Sequence, residues 1–171
     1  MRERLNEERL RAFMRALARE ANEQGRVYIA GGASAVLLGW RDSTLDVDLK
    51  IIPEHDRLLR AIPRLKESLN INVEQASPDD FIPELPGWQD RSPFIALEGK
   101  LSFHHYDFYS QALAKIERDH ALDRADVLHM IESRLVDRVR LAAFFEQIEP
   151  QLYRFAAIDP ARFAERVRKL Q

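Results

Sequence analysis

Apolar residues recur at helical spacing from the start of the chain. Leu10, Phe13, Met14, Leu17 and Ala21 form one stripe, with charged residues between them. Asn6 suits the N-cap, Glu7 and Glu8 the first turn, and Gly25 the stop. The pattern then changes period. Val27 to Ala30 is a short apolar strand, Gly31-Gly32 a turn, and Ser34 to Leu38 a short helix stopped by Gly39. From Leu45 to Ile51 the chain alternates. Leu45, Val47, Leu49 and Ile51 share one face, and Asp46, Asp48 and Lys50 the other, so the strand buries one side only. Pro53 ends it. Residues 54–69 read as a helix with Leu58, Leu59, Ile62 and Leu65 inward, and Pro63 predicts a break or kink. Ile71 to Val73 reads as another strand. Residues 77–93, dense in proline and acid, read as a long loop. Phe94 to Leu97 and Leu101 to Tyr109 read as a hairpin around Glu98-Gly99-Lys100. Helical periodicity fills 110–119, 122–133, 136–147 and 160–170. This pattern divides the chain into an α/β core over 1–109 and a helical part over 110–171, both within an α+β fold.

Chemistry concentrates in two places on that map. A glycine pair between strand and helix lets backbone amides approach a phosphate closely. Asp46 and Asp48, two apart on a strand, point the same way and can share a divalent cation. An isolated D-x-D is an ordinary strand edge; the preceding Gly31-Gly32 turn favours a phosphate cradle beside a metal site. Phosphoryl and nucleotidyl transfer need such a site, because Mg2+ or Mn2+ neutralises phosphate charge and aligns the reacting groups. A third carboxylate is expected from a neighbouring strand. Asp107, inside an aromatic stretch with His105 and Tyr109 on its face, is the candidate. The alternative for Asp107 is an ion pair with an arginine such as Arg41. Lys115 and Arg118 lie three apart on one helix face, where both could reach a triphosphate, or serve an exposed helix laced with ion pairs. Asp123 and Asp126 are additional acids, with helix-terminus and salt-bridge readings beside the catalytic one.

Composition narrows the classes. With 171 residues, one domain with a helical extension is expected. A hydrophobic content of 46% suffices for a core, and a net charge of −2 requires any nucleic-acid binding to use a local basic patch. The absence of cysteine excludes disulfides and thiolate metal sites. No apolar run approaches the ~20 residues of a membrane helix, and the charged N-terminus does not resemble a signal peptide, so a cytoplasmic protein is expected.

Ala30-Gly31-Gly32, a gap of thirteen residues and Asp46-Val47-Asp48-Leu49 resemble the signature of the nucleotidyltransferase superfamily, whose fold includes polymerase β. Arg41, Ser43 and Thr44 before the acids resemble its small bacterial branch, which includes nucleotidyltransferase toxins of abortive-infection type. Lys115, Arg118, Asp123 and Asp126 resemble that branch's downstream lysine, arginine and acids, although Leu122-Asp123 stands where an Arg-Asp pair is usual. The likeness covers about residues 26 to 130. It implies a small mixed sheet flanked by helices, and transfer of a nucleotidyl group from an NTP to an RNA end, a protein or a small molecule. Gly31, Gly32, Ser34, Arg41, Thr44 and Arg118 would then bind nucleotide. Asp46, Asp48 and Asp107 would bind metal, and Lys115 would neutralise developing charge. A cognate toxin or antitoxin partner is implied as well. The competing expectations are a binding module on the same fold that has lost activity, and metal-dependent phosphohydrolysis by the same acids.

Overall fold

Strand pairing brings distant parts of the chain onto one sheet. The computed structural model describes all of residues 1–171. Its fold is α+β, with a five-stranded mixed sheet and seven α-helices. In chain order these are α1 (Glu7–Glu20), β1 (Gly25–Ala30), α2 (Gly31–Leu38), β2 (Asp46–Ile52), α3 (Asp56–Ser68), β3 (Asn72–Glu74), β4 (Phe94–Glu98), β5 (Leu101–His105), α4 (Phe108–Arg118), α5 (Ala121–Glu132), α6 (Arg138–Ile148) and α7 (Pro160–Arg168). Packing divides the chain into two units: residues 1–77 with 92–106, and residues 78–91 with 107–171.

The first unit holds the sheet, in the order β3-β2-β1-β5-β4. β1 runs antiparallel to β2 and parallel to β5; β3 runs parallel to β2, and β4 antiparallel to β5. Period-two alternation gives the sheet two unlike faces. Val27, Ile29, Val47, Leu49, Ile51, Leu101 and Phe103 join Leu10, Phe13, Met14 and Leu17 of α1 and Leu58 and Ile62 of α3 in one buried cluster. The opposite face carries Asp46, Asp48 and Lys50, all half-buried.

Asn6 caps α1, its side chain accepting from the Arg9 N–H at 3.0 Å. The helix ends at Glu20 with Ala21 as its C-cap, and Gly25 opens β1 instead of stopping the helix. Pro63 neither breaks nor splits α3, which is continuous from Asp56 to Ser68.

The second unit holds α4 to α7, with 3-10 turns at Pro78–Asp80 and Glu149–Arg154. Tyr109 packs on Phe144 at 4.9 Å between ring centroids, and Phe145 on Phe163 at 4.8 Å. The proline-rich segment belongs to this unit and is anchored: Ile82, Leu85 and Trp88 are buried, and Arg91 donates to the Pro86 carbonyl at 2.7 Å.

Candidate nucleotide and metal site

The turn from β1 into α2 is built for close approach. Gly31 has φ 65°, in the left-handed region, and a Cβ there would stand 2.6 Å from Asp48 Oδ2. A Cβ on Gly32 would collide with Thr44 Oγ1 and stand 3.0 Å from the Arg41 guanidinium. The two glycines thus let the Asp48 carboxylate and the Thr44 hydroxyl pack directly against the turn, where any larger residue would clash, at the N-terminus of a helix with no side-chain cap. Thr44 is held there by the N-terminal segment: the Leu5 N–H donates to the Thr44 carbonyl at 2.7 Å, and the Thr44 N–H to the Leu5 carbonyl at 2.9 Å. Its hydroxyl donates to the Asp46 carbonyl at 3.2 Å, tying the turn to the acid strand.

Ser34, one of the expected phosphate contacts, is directed elsewhere. Its buried hydroxyl lies 2.6 Å from His105 Nδ1. Burial, with the Arg11 and His104 charges adding to it, lowers the His105 pKa to about 4. The pair braces α2 against β5.

Asp46 and Asp48 share the polar face of β2. The parallel register sets Asn72 beside Asp46 and Glu74 beside Asp48. Asn72 Nδ2 donates to Asp46 Oδ1 at 2.6 Å and to Glu74 Oε1 at 3.1 Å. Glu74 is therefore a further carboxylate on this face. Nothing in the sequence marks it, because a three-residue strand following a helix does not reveal its register. In neither unit do three or more His, Asp or Glu side chains converge closely enough to hold a metal ion as they stand. The candidate metal ligands on this face, the carboxylates of Asp46, Asp48 and Glu74 beside the glycine turn, are nonetheless hard oxygens of the kind that suits Mg2+, which keeps several waters and takes substrate phosphates as further ligands.

Asp107 requires a correction of place. β5 ends at His105, and Asp107 is the N-cap of α4, so neither it nor Tyr109 lies on a strand face. Five hydrogen bonds occupy its carboxylate. Oδ1 accepts from Arg91 Nε at 3.1 Å and the Tyr109 N–H at 3.3 Å. Oδ2 accepts from Arg91 Nη2 at 2.8 Å, the Ser110 N–H at 3.2 Å and Ser110 Oγ at 2.7 Å. A carboxylate offers about four lone-pair positions, and these bonds tie Asp107 to the start of α4 and to Arg91. The ion pair that the sequence allows for Asp107 is formed, with Arg91 and not Arg41 as its arginine.

Lys115 and Arg118 are likewise paired within the second unit. Buried Lys115 donates to Asp126 Oδ2 at 2.8 Å and lies 3.7 Å from Asp123 Oδ1. The Arg118 fork holds Asp123 through Nε at 2.8 Å and Nη2 at 2.6 Å. Burial alone would raise the Asp123 pKa; the Arg118 hydrogen bond and charge, the His120 N–H and Lys115 outweigh it and lower it.

A helix-initiating glycine pair, a following strand with two acids on its free face, and a parallel third strand carrying Asn72 and Glu74 define a nucleotidyltransferase-type core. The family model described as a nucleotidyltransferase of unknown function (DUF6036) matches residues 8–165, and the chain belongs to that family. No curated protein and no solved structure matches it. No helix is long and apolar enough to cross a membrane.

Proposed function

We propose that the chain is a metal-dependent nucleotidyltransferase that uses the β1–α2 turn for the NTP phosphates and the polar face of β2 and β3 for a divalent cation. The observation that carries this reading is the closeness of the two parts: Asp48 Oδ2 lies at the one glycine, and Thr44 Oγ1 with Arg41 at the other. An NTP whose outer phosphates accept from the turn's amides, Arg41 and Thr44 has its remaining phosphate charge next to the acids. Asp46 and Asp48 would hold the cation, with Glu74 completing the set. The cation, Mg2+ or Mn2+, supplies charge neutralisation and alignment of the attacking and leaving oxygens. An acceptor oxygen forms a bond to the α-phosphorus and the bond to the pyrophosphate oxygen breaks. Asp107 and Lys115 are given no step in this reading: Asp107 is bonded to Arg91 and Ser110, and Lys115 to Asp126. The likeness to abortive-infection nucleotidyltransferases supports a toxin role, with an RNA end or a protein as acceptor and a cognate antitoxin as partner.

The test is incubation with each α-labelled NTP and Mg2+, with total RNA and total protein as acceptors. Label should move to a macromolecule with release of pyrophosphate, and Asp48→Asn should abolish the transfer while leaving Tm unchanged or higher, since it relieves repulsion among the acids. Label recovered only as NMP or NDP identifies hydrolysis instead. An Asp48→Asn chain with wild-type turnover overturns the metal assignment.

A further inference from the structure

The cations expected to meet the triphosphate, Lys115 and Arg118, are bonded to Asp126 and Asp123. The site proposed above has Arg41 at the turn and a face rich in carboxylates. We infer that Lys50 is a further catalytic residue of this site, its ammonium contacting a phosphate oxygen of the bound NTP; this rests on the nucleotidyltransferase reading.

Placement carries the argument. β2 alternates strictly between half-buried and buried, and Lys50 falls in the same phase as Asp46 and Asp48. Residues two apart on a strand stand about 6.6 Å apart on one face, within reach of lysine's flexible four-carbon stem. Register confirms the order across the sheet: Asp48 is opposite Ala30, Lys50 opposite Tyr28, and Ile52 opposite Arg26. On the polar face of β1, β2 and β3 the charged groups are therefore Asp46, Asp48 and Glu74, then Lys50, then Arg26. Lys50 is one residue pair from Asp48, and Arg26 is two. Lys50 is the strand-borne cation nearest the acids. It is half-buried, so its charge is poorly screened by solvent and matters to any polyanion drawn to the acids through a metal. A simpler role, balancing the carboxylates for stability alone, makes a different prediction and is separable from this one.

The full chain is titrated with non-hydrolysable NTPs in Mg2+ by calorimetry, as wild type, Lys50→Met and Lys50→Arg, with Tm measured alongside. Loss of one charge-assisted contact should weaken NTP binding about tenfold or more in Lys50→Met, and Lys50→Arg should recover most of it. A Lys50→Met chain that binds NTP as the wild type does overturns the inference, even if its Tm falls, and leaves Lys50 as a charge-balancing residue. If Lys50→Met does not fold, acetylation of the wild-type chain decides: NTP should slow modification of Lys50, and equal rates with and without NTP overturn the contact. Absence of NTP binding in the wild type overturns both this inference and the reading beneath it, whereas wild-type binding with an indifferent Lys50 overturns this one alone.

Discussion

His105 shows how a single buried side chain behind the glycine turn bears on the stability of the fold around it. It is buried on β5, hydrogen-bonded to Ser34 in the first turn of α2, and its pKa is lowered from 6.5 to about 4. The folded chain therefore keeps it neutral where the unfolded chain protonates it. Stability from this group is complete above about pH 6.5 and is lost as pH falls toward about 4, on the order of 2–3 kcal/mol by pH 4.5. Urea unfolding at pH 7 and pH 4.5 checks it: the loss on acidification should be smaller by that amount in His105→Gln than in the wild type. An equal loss in both chains would show that His105 titrates normally. Because Ser34 lies in the first turn of the helix that Gly31 and Gly32 open, NTP affinity should weaken over the same acid range.

At the scale of the element, α4 and α5 are joined by charge. Lys115 is buried between Asp126 and Asp123, while Arg118, whose side chain is 57% exposed, holds Asp123 from outside. Removing one member of a buried pair strands the other's charge, at about 3 kcal/mol; an exposed partner costs about 1 or less. Lys115→Met should thus destabilise the chain by about 3 kcal/mol, and Arg118→Gln by much less, in denaturant titrations. A Lys115→Met chain that unfolds like the wild type yet loses NTP affinity would return Lys115 to the phosphates. The same elements show what the sequence makes legible. β2 is readable from Asp46 to Ile51, because Val47, Leu49 and Ile51 alternate with Asp46, Asp48 and Lys50 and only a one-sided strand does that; Leu45, expected on the buried face, precedes the strand and is exposed. α1 is readable from its stripe and its Asn6 cap. The end of β5 is not: Tyr106-Asp107-Phe108-Tyr109 continues the aromatic pattern, and the cap shows only in the Tyr109 N–H, Ser110 N–H and Ser110 hydroxyl bonded to Asp107. Glu74 is hidden for a different reason. Its place beside Asp48 arises from a parallel pairing after a helical crossover, and no local pattern encodes that register.

For the whole molecule, the two kinds of aspartate make opposite predictions that one measurement separates. A ligand that binds only the folded chain raises its stability by mass action, about 2.7 kcal/mol at roughly a hundred times Kd. For a chain of this size that corresponds to roughly 5–10 °C in Tm. The wild type should show such a rise with NTP and Mg2+ together, and a smaller one with either alone, because the cradle and the acids each hold only part of the ligand. Asp48→Asn removes a carboxylate from the polar face of β2, so its baseline Tm should hold or rise and the ligand-induced rise should vanish. Asp107→Asn should do the reverse. It breaks the Arg91 pair, buried on the carboxylate side with 1% exposure, and weakens the cap of α4. The baseline should fall by about 3 kcal/mol of stability, yet the rise with NTP and Mg2+ should survive in full if Asp107 serves Arg91 and the cap of α4 alone. Thermal unfolding of the three chains, each with and without ligand, reads both quantities at once. If Asp107→Asn abolishes the rise while its baseline is unchanged, Asp107 belongs with the metal ligands after all, and its five hydrogen bonds must then open when nucleotide binds.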